Sequence, residues 1–592
     1  MIDKEVARVF DRRSALFLTG GAVLTSFLVL RMFQMQVFSY RNYKRKSENN
    51  SFRIQYTMAE RGKILTAHGI PISGDASVYR IYIVPEEADD VSHLIDTLAA
   101  QLHLGDKTIK RIRATVKKQP KFQPVLVSEN LKWHELAPLQ AKNLAGVHIR
   151  GGYARVYEMG PAGAQIFGYV GAPARGPDKN IPFFTSGVTG LEYRFDDTLA
   201  GTPGQNVMIT NAVGRVTGED TSQFIAPGPG RDIKTTIRDN VQRVMYDALV
   251  GQKSGCGVAI DIESGDILAM VSVPSFDPNQ FSSDDADEYI ASLRADMTKP
   301  FMNKTIEGLY PPGSTFKIVV ALAALESGAL SPNEKIFCPG HWDYGDRRYH
   351  CWKSTGHGWV DLADALKHSC DTYFYQIALR IGIDAIRAMG IKLGLGQKYM
   401  DGVLSREMPG VIPDRKWKEK KIGARWVHGD AIISGIGQGF ILTNCLQLAV
   451  MTARAVSNRD VIPRLIDDGQ TPQFKPLGLQ TKNIRAVMRG LELVTKSGGT
   501  AAGAAINVNG ARMGGKTGTA QVRSISRAER ESGKLTTEQL KWNMRDHGLF
   551  VGYAPTDHPR YAVCIITEHS GGATGASRAA GAVMKELLGD KK

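Results

Sequence analysis

Residues 308–328 read GLYPPGSTFKIVVALAALESG. The two prolines and the glycine before Ser314 stop the preceding segment, so we expect Ser314 to open a helix. The apolar run that follows predicts a buried helix that ends at Gly328. Since residues three apart share a helix face, the amine of Lys317 is expected close to the Ser314 hydroxyl. A lysine that is partly desolvated in a cleft can accept a serine proton, and a helix N-terminus favours the developing negative charge.

Two further short motifs follow in order along the chain. They are Ser369-Cys370-Asp371 and Lys516-Thr517-Gly518. Each motif is a weak signal when it is read singly. A Ser-x-x-Lys motif is a common chance match. A Ser-Cys-Asp motif is most often a helix cap, and a Lys-Thr-Gly motif is usually a solvated strand end. Found together and in order, they indicate a serine nucleophile with its proton-transfer partners. The Lys516-Thr517-Gly518 motif lies between Gly514-Gly515 and the apolar TAQV. This position predicts an exposed strand edge where a peptide can add as an extra strand.

The sequence around these motifs predicts one α/β domain. Residues 255–273 (GCGVAIDIESGDILAMVSV) and residues 547–569 (HGLFVGYAP and RYAVCIITEH, joined by TDHP) each predict a β-hairpin. Residues 361–382 (DLADALKHSCDTYFYQIALRIG) predict two helices that break near Ser369. Strands at both ends of a helical middle indicate a sheet closed by distant segments of the chain, which we place at residues 232–592.

The composition is that of a folded chain, with 592 residues of which 43% are hydrophobic and 22% charged. That balance excludes a mainly disordered protein, and the length predicts three or four domains. The net charge is +15, which can suit an anionic membrane surface, an acidic polymer or nucleic acid. We find no run of Lys and Arg interleaved with aromatic residues, so we expect no nucleic-acid partner. A solvated surface with extra lysine explains the charge equally well.

An uncharged apolar stretch near the N-terminus predicts a membrane anchor. Residues Ser14 to Leu30 carry no charge, and the helix can extend to Phe38 if Arg31 snorkels to the interface. The residues that follow lack the small side chains of a signal-peptidase site, so we expect a retained single-pass helix at residues 14–38. Basic residues flank the stretch on both sides and leave its orientation open.

The region between the anchor and the catalytic segment predicts a separate, non-catalytic unit. Residues 39–231 mix short apolar runs such as YRIYIVP with helix-like stretches such as VSHLIDTLAAQLHLG, which predicts an α+β domain. They contain no Glu-Asp-x-x-Phe-x-x-His signature of a peptidoglycan glycosyltransferase. The expected order is a cytoplasmic tail (residues 1–13), the anchor, this dimerisation-like pedestal (residues 39–231) and the catalytic domain.

The motifs together resemble those of the class B penicillin-binding proteins, and within them the elongation-type transpeptidases. The resemblance rests on GLYPPGSTFKIV, SCDTYFYQIA, GIGQG and GGKTGTAQV, and on AERGKILTAHGIPIS and GLEYRFDDTLAGTPG in the pedestal. It covers nearly the whole chain. Many members of the broad family carry Asn where this sequence has Asp371, but the elongation-type members are similar to it there. The fold it implies is an antiparallel sheet flanked by helices, placed after an α+β pedestal.

The resemblance implies a serine acyl-transfer reaction that needs no cofactor. Ser314 would attack the carbonyl of a D-alanyl-D-alanine stem peptide, and Lys317 would act as the general base. Ser369, aided by Lys516, would relay a proton to the leaving D-alanine, and Asp371 would orient this network. An amine of a second stem peptide would then attack the acyl-enzyme and form the crosslink. β-Lactams would acylate the same serine.

The resemblance also implies how the peptide is held and where the reaction takes place. Thr517, Gly518 and Thr519 would bind the substrate, and the backbone N–H groups of Ser314 and Thr519 would form the oxyanion hole. The chemistry places the catalytic domain in the periplasm, with the chain anchored in the inner (cytoplasmic) membrane. Because the chain lacks a polymerase signature, it would work with a membrane glycosyltransferase of the shape, elongation, division and sporulation (SEDS) family and with other elongation-complex proteins.

Three cysteines and one histidine lie in or before the Ser369-Cys370-Asp371 motif in the sequence, namely Cys338, Cys351, His357 and Cys370. Their spacings are too wide for a zinc-finger pattern, and spacing alone favours a Cys338–Cys351 disulfide, which an extracytoplasmic site permits. Some elongation-type family members hold a structural zinc in this loop, and by that resemblance these four residues are expected to bind zinc. Cys256, Cys445 and Cys564 lie in apolar runs that predict buried core thiols. Further histidines in the region are His341, His350 and His368.

Three alternatives stand beside the transpeptidase. A D,D-carboxypeptidase or β-lactamase would use water as the acceptor, although the long pedestal argues against these usually smaller enzymes. A β-lactam sensor would acylate the same serine and signal. A scaffold that activates a membrane glycosyltransferase would leave catalysis secondary. Product analysis with a lipid-linked precursor and a polymerase separates the four hypotheses.

Overall fold

The computed structural model describes residues 4–38, 52–142, 144–173, 184–211, 215–283, 285–523 and 539–589. It begins with helix α1 (Lys4–Phe33), which a π-helical turn, Gln34–Phe38, continues. The segment Arg13–Phe38 has a mean hydropathy of 1.8 and buries none of its apolar window, so it is long and apolar enough to cross a membrane. It agrees with the predicted single-pass anchor at residues 14–38. The same helix extends into the predicted tail, of which residues 1–3 lie outside the described residues.

Short sheets form most of the pedestal. Its strands are β1 (Phe52–Thr57), β2 (Ile64–Leu65), β3 (Pro71–Ile83), β4 (Val125–Leu131), β5 (Val147–Tyr157), β6 (Val170–Gly171), β7 (Ser186–Gly187), β8 (Gly204–Thr210), β9 (Val216–Ile225) and β10 (Ile233–Lys234). They make a three-stranded sheet in the order β1–β8–β9, a five-stranded sheet in the order β10–β2–β3–β4 with β5 also paired to β3, and a β6–β7 pair.

The pedestal also contains helices. They are α2 (Val91–Leu102), α3 (Asp106–Lys118), α4 (Trp133–Gln140), α5 (Ala164–Phe167), α6 (Gly190–Arg194) and α7 (Asp196–Leu199), of which α2, α3 and α4 cover one part of the five-stranded sheet. Helix α2 begins where the Asp90 carboxylate accepts the backbone N–H groups of Ser92 and His93, and it ends at His103 in the left-handed conformation. Its buried face, with Leu94, Ile95 and Leu98, packs into one apolar cluster with β3 and β4. The predicted α+β pedestal is thus confirmed, because this region contains both sheets and helices.

A buried ion network ties the two ends of the pedestal sequence together. The guanidinium of Arg61 lies 2.7 Å from carboxylate oxygens of both Glu192 and Asp196. Arg155 donates to the other Glu192 oxygen at 2.7 Å and to Asp75 at 3.1 Å. Glu192 is fully buried, so removing it would leave two guanidinium groups without their shared partner. The network joins the AERGK and GLEYR segments, which are about 130 residues apart in the sequence.

The catalytic domain is built on an antiparallel sheet. Its strands are β11 (Gly255–Asp261), β12 (Ile267–Val273), β13 (Ile336–Cys338), β14 (His341–Tyr344), β15 (Arg347–His350), β16 (Gly358–Val360), β17 (Asn507–Val508), β18 (Ala511–Arg512), β19 (Gly514–Ala520), β20 (His547–Ala554) and β21 (Tyr561–Thr567). The five long ones form the order β12–β11–β21–β20–β19, and the others make two-stranded ladders. Both predicted hairpins, β11–β12 and β20–β21, are present. The strands from residues 255–273 thus pair with strands from the end of the chain, as the sequence predicted.

Helices pack on both faces of this sheet. The described helices of the domain as a whole are α8 (Asp239–Val250), α9 (Ala286–Ala295), α10 (Lys317–Glu326), α11 (Leu362–Lys367), α12 (Asp371–Lys392), α13 (Arg415–Ile422), α14 (His428–Ser434), α15 (Cys445–Ser457), α16 (Thr481–Val494) and α17 (Thr574–Gly589). On one face α8 and α17 contact alternate strand residues such as Ala259 and Val563. On the other face α15 contacts the intervening residues, such as Val258 and Cys564. Because side chains alternate along a strand, covering both faces explains why these strands are apolar throughout.

The chain passes from the pedestal to the catalytic domain near residue 235. Strand β10 still pairs in parallel with β2 of the pedestal sheet. The next residue, Thr235, already bridges to Ile466 of the catalytic domain. The predicted boundary between residues 231 and 232 falls just before this crossing.

The helix that follows the Pro-Pro-Gly stop starts with a tighter turn than the sequence predicts. Gly313–Phe316 form a 3₁₀ turn, and α10 proper begins at Lys317. All its residues from Lys317 to Leu325 are buried, which confirms the predicted buried helix. It ends one residue before Ser327, and Gly328 follows with φ of 71°. The predicted break near Ser369 is also confirmed, between α11 and α12.

Candidate functional site

Ser314 lies half-buried in a 3₁₀ turn at the start of α10, beside the edge strand β19. Gly313, the residue before it, has φ of 54°, and a Cβ there would stand 2.6 Å from the carbonyl oxygen of Thr519. Only glycine permits this close approach of the turn to β19. The backbone around the predicted nucleophile is therefore held directly against the Lys516-Thr517-Gly518 motif.

The side chain of Lys317 is completely buried, and its amine contacts the Ser369-Cys370-Asp371 motif. It lies 2.7 Å from an Asp371 carboxylate oxygen, 3.2 Å from the Ser369 hydroxyl and 2.9 Å from the Ser369 carbonyl oxygen. Within the described part of the chain none of its hydrogen bonds goes to Ser314, and the closeness of this amine to the Ser314 hydroxyl stays a prediction.

Ser369 sits in the bend between α11 and α12 with φ of 54°, a left-handed conformation that is rare for serine. This bend turns its hydroxyl toward Lys317. Asp371 opens α12, and its second carboxylate oxygen accepts the backbone N–H of Trp352 at 2.9 Å. The indole of Trp352 donates to the carbonyl oxygens of His368 and Ser369. Contacts from both sides thus fix the bend.

Lys516 is the second fully buried lysine of the site. Its ammonium group donates to the Thr517 carbonyl oxygen at 3.1 Å. Burial, followed by repulsion from the charge of Lys317, holds the pKa of Lys516 well below its usual range, although Asp371 opposes the shift. At a given pH, a larger fraction of Lys516 is therefore neutral than of an exposed lysine.

Strand β19 forms the edge of the five-stranded sheet and lines one wall of the cleft. Thr519 is exposed, Thr517 is half-buried, and Gly518 between them is buried against the turn that carries Ser314. The side-chain amide of Gln438 donates to the Thr519 carbonyl oxygen at 3.1 Å, and the Thr517 hydroxyl lies 2.8 Å from that of Thr500. The predicted strand edge is confirmed, and it offers backbone groups to an extended peptide.

These residues enclose a cavity of about 600 Å³. Ser314, Ser369, Asp371 and residues 517–519 line it, whereas Lys317 and Lys516 lie behind the lining. The structure thus brings together all eight residues predicted for catalysis and substrate binding. Among the further lining residues, which the sequence predictions did not name, three contact the site residues or the strand edge, namely Trp352, Gln438 and Thr500. Gln438 lies in the GIGQG segment, which carried the only sequence signal for any of the three.

The four predicted metal-binding residues meet behind the bend that carries Ser369. Ligand atoms of Cys338, Cys351, His357 and Cys370 all lie within 4.8 Å of one another. The Nδ1 atom of His357 is 3.6 Å from the Cys338 sulfur and 3.5 Å from the Cys351 sulfur. The group does not include His341, His350 or His368, and the cysteines are free thiols rather than a Cys338–Cys351 disulfide.

Hydrogen bonds within this cluster shift the pKa values of its thiols. Interaction with Cys370 is the main cause that lowers the pKa of Cys338 to about 5 and that of Cys351 to about 3, while the pKa of Cys370 rises. Contact with the two sulfurs raises the pKa of His357. The other cysteines, Cys256, Cys445 and Cys564, are buried in the core as predicted.

Two protein-family models match the chain. The penicillin binding protein transpeptidase domain matches residues 255–589, and the penicillin-binding protein dimerisation domain matches residues 56–235. The first match contains the five-stranded sheet and the cleft. The second contains nearly all of the pedestal.

The chain is also similar to individual proteins over most of its length. It is 32% identical to the peptidoglycan D,D-transpeptidase MrdA of Haemophilus influenzae, over 98% of this chain and 91% of that protein. The structure of PBP2 of Pseudomonas aeruginosa in complex with WCK 5153 is 28% identical, with a TM-score of 0.65 and coverage of 91% of this chain and 97% of that one. A complex between PBP2 and MreC from Helicobacter pylori shares the fold at 23% identity, with a TM-score of 0.75 and coverage of 91% and 99%.

The packing of Gly437 against the Ser314 turn gives a first prediction. Its φ is 67°, and a Cβ there would stand 2.2 Å from the Gly313 carbonyl oxygen. Gly437→Ala should therefore displace the turn and slow the reaction of Ser314 with a fluorescent penicillin at least about tenfold. Gly423→Ala is the matched control, because Gly423 has φ of 75° but open space around it. Equal labelling rates for the two variants would contradict the assignment.

Proposed function

The chain belongs to the penicillin-binding protein transpeptidases, and from this premise we propose that Ser314 carries the acyl group in peptidoglycan D,D-transpeptidation during cell-wall elongation. One observation carries the assignment of the residues. The Lys317 amine contacts both the Ser369 hydroxyl, at 3.2 Å, and the Asp371 carboxylate, at 2.7 Å, directly behind the cavity that Ser314 lines. This arrangement links a nucleophile to a buried proton-transfer network.

In the first half of the reaction, the Ser314 oxygen attacks the carbonyl carbon between the two D-alanines of a stem peptide. The bond from that carbon to the terminal D-alanine nitrogen breaks, and an ester to Ser314 forms. The proton of the Ser314 hydroxyl passes to Lys317, as general base, and reaches the departing amine through the Ser369 hydroxyl. Asp371 holds the Lys317 amine in position for both transfers.

The strand edge and the turn provide the binding geometry for this step. The stem peptide adds to β19 beside Thr517, Gly518 and Thr519, so that its scissile carbonyl lies over Ser314. The backbone N–H groups of Ser314 and Thr519 stabilise the oxyanion. The close contact of Gly313 with the Thr519 backbone supports this pairing, because it holds the two segments at a fixed separation.

In the second half, an amine of another stem peptide attacks the ester carbon. The amine nitrogen loses a proton, which Ser369 and Lys317 pass to the Ser314 oxygen as the ester bond breaks, and the new amide is the crosslink. Lys516 supports both halves through its position beside Lys317, since its lowered pKa lets it take up a proton and release it again. β-Lactams acylate the same serine and stop the cycle at the ester.

The function predicts the behaviour of Ser314→Ala. This variant should lose labelling by a fluorescent penicillin and lose crosslinked product in a reaction with lipid-linked precursor and a polymerase, each by at least about a thousandfold. Ser327→Ala, at the other end of the same helix, should keep both activities. Circular dichroism checks that both variants fold.

Two outcomes would contradict this assignment. One is continued labelling of a folded Ser314→Ala protein. The other is release of D-alanine by the wild type without crosslinks, because water would then be the acceptor and the carboxypeptidase alternative would be correct.

We infer that residues 232–592 lie in the periplasm, with the pedestal (residues 39–231) between them and the single-pass anchor in the inner membrane. The support is the chemistry, because crosslinkable stem peptides occur outside the cytoplasmic membrane, and the one apolar helix long enough to span a membrane in the described part of the chain lies at its beginning. Residues 1–13 would then be cytoplasmic.

We propose that Cys338, Cys351, His357 and Cys370 hold a structural zinc ion. Three sulfurs and one imidazole form the donor set of a closed Cys₃His site, in which sulfurs bound at about 2.3 Å from zinc lie about 3.8 Å apart. The ligand separations of up to 4.8 Å and the 3.5–3.6 Å contacts of His357 Nδ1 are close to that arrangement. The Nε2 atom of His357 is buried and points away from the sulfurs, which leaves Nδ1 as the ligand. The metal would order the loop and take no part in the chemistry.

Removing a ligand tests the zinc proposal. Full-length protein purified without chelator should contain about one equivalent of zinc, and Cys351→Ser or a chelator should lower the zinc content, the melting temperature and the acylation rate together. Cys564→Ser also removes a buried thiol but should leave the zinc content unchanged.

The disulfide alternative makes the opposite forecast. It predicts sensitivity to reductant instead of chelator, and fewer free thiols on denaturation. A zinc content below about a tenth of an equivalent would refute the metal proposal.

We further propose that the pedestal binds other elongation-complex proteins, including a SEDS-family glycosyltransferase. The chain carries no polymerase motif of its own in the pedestal. Its β1–β8 ladder exposes three large apolar side chains on one face, those of Phe52, Ile54 and Ile209, which fits contact with a partner. The Helicobacter pylori protein of the same fold forms a complex with MreC, which makes a protein partner reasonable here.

Point variants on this apolar face test the partnership. Ile54→Glu with Ile209→Glu should reduce the amount of polymerase that co-purifies from membranes at least about tenfold, because a charge disrupts an apolar contact. Val250→Glu changes an equally exposed apolar residue of the catalytic domain and is the control. Penicillin labelling confirms that each variant folds. Equal recovery of polymerase with the wild type, the Ile54→Glu/Ile209→Glu variant and the Val250→Glu control would count against the proposal.

A further inference from the structure

Two threonine hydroxyls meet on the wall of the catalytic cavity. The hydroxyl oxygen of Thr500 lies 2.8 Å from that of Thr517, and both residues line the cavity. Within the described part of the chain, each of these hydroxyls hydrogen-bonds only to the other. One of them donates to its neighbour, so the second proton is left for an acceptor inside the cavity. The sequence predictions gave Thr517 a binding role but did not include Thr500.

The fold fixes the position of Thr500 although the residue itself is exposed. It lies in the loop between α16 and β17. The next residue, Ala501, is buried and donates its backbone N–H at 2.9 Å to the carbonyl oxygen of the last residue of α16. At the start of the loop, the buried Thr495 hydroxyl donates at 2.6 Å to the carbonyl oxygen of Met513, which directly precedes β19. The loop is therefore tied both to α16 and to strand β19.

Positive charge is in excess behind the strand that carries Thr517. Lys317 and Lys516 are both fully buried there. The carboxylate beside them is that of Asp371, and it pairs directly with Lys317 at 2.7 Å. The ammonium group of Lys516 donates to the Thr517 carbonyl oxygen. One carboxylate thus stands against two lysines, which favours a negatively charged ligand group on this wall.

The loop that carries Thr500 has positive charge beside it as well. The ammonium nitrogen of Lys367 lies 3.7 Å from the position that a Cβ of Gly498 would take, and Lys367 forms no ion pair with any described residue. The nearby carboxylate of Glu492, at the end of α16, is paired with Lys496 at 3.0 Å. The hydroxyl pair therefore lies between two regions of positive charge.

The proposed substrate brings a negative charge to this place. A stem peptide that ends in D-alanyl-D-alanine carries its terminal carboxylate on the leaving residue. Two atoms separate the carboxylate carbon from the carbonyl carbon that Ser314 attacks, so these carbons lie at most about 4 Å apart. Gly518, next to Thr517, is packed against the Ser314 turn, since a Cβ there would stand 3.0 Å from the Pro312 carbonyl oxygen. The hydroxyl pair thus lies on the part of the wall that the carboxylate must approach.

We propose that Thr500 binds the terminal carboxylate of the donor stem peptide together with Thr517. This inference rests on the proposed function, from which it takes the peptide. Each hydroxyl donates to one carboxylate oxygen, and their mutual contact holds them close together before the peptide arrives. Because the carboxylate departs with the D-alanine, Thr500 contributes to the formation of the acyl-enzyme and not to its reaction with the acceptor amine.

Two ligands that differ only at the carboxylate test this role. Competition with a fluorescent penicillin measures the second-order rate constant for acylation of the full-length protein by benzylpenicillin and by its methyl ester, which lacks the negative charge. The wild type should react at least about tenfold faster with benzylpenicillin. Thr500→Val should lower the rate constant for benzylpenicillin at least about tenfold and that for the ester less than about twofold.

Two further variants serve as controls. Thr500→Ser keeps the hydroxyl and should restore most of the rate with benzylpenicillin. Ser497→Ala removes a hydroxyl of the same loop that does not line the cavity, and it should react as the wild type does. Circular dichroism checks that each variant folds, and Thr500→Ala replaces Thr500→Val if the branched apolar side chain prevents folding.

Each of four outcomes would overturn the proposal. They are equal reaction of the wild type with both ligands, an unchanged rate of Thr500→Val with benzylpenicillin, the same loss for this variant with both ligands, and no recovery with Thr500→Ser. The third would show that the substitution only disturbs the loop. A folded wild type that neither ligand acylates would instead contradict the proposed function, and this inference with it.

Discussion

The cleft depends on the buried ion pair between Lys317 and Asp371. It joins the start of α10 to the start of α12, 54 residues further along the chain. Burying a charge is unfavourable unless a partner compensates it, and Asp371 is one carboxylate beside two buried lysines. Lys317 takes the direct contact, so for Lys516 burial and repulsion prevail, which explains its lowered pKa. Lys317 is thus paired with a carboxylate, and Lys516 beside it has a lowered pKa. Two lysines in such different environments are suited to moving a proton.

The loop that carries Cys351 and Trp352 also contacts this ion pair, through Asp371. The carboxylate oxygen of Asp371 that does not face Lys317 accepts the Trp352 N–H, and the Asp371 backbone N–H donates to the Cys351 sulfur at 3.4 Å. Cys370 stands between Ser369 and Asp371 in the sequence. Any change that moves this loop must therefore move the carboxylate, and with it the Lys317 amine. A loop behind the cleft thus holds the carboxylate in place through two hydrogen bonds and without lining the cavity through Cys351.

Local patterns predicted the elements of the catalytic domain, because periodicity and turn residues act over short distances. The hairpin at residues 255–273, the buried helix after Ser314 and the break at Ser369 are all of this kind. The contact of Lys317 with Asp371 is different, since the resemblance to a family implied it and the helical spacing did not. Trp352 and Thr500 reach the cavity only because separate loops meet there, and no spacing in the sequence encodes such a meeting. The order of the three motifs, and the family resemblance that they carry, indicated in advance that they form one site.

The pedestal shows how buried charges stabilise a fold when they share a partner. Arg61 and Arg155 share the buried carboxylate of Glu192, so their charges are compensated inside the domain. Burial makes this compensation necessary, because a buried guanidinium group without a carboxylate is strongly unfavourable. The three residues come from segments far apart in the sequence, so the pedestal reaches this arrangement only when its fold is complete.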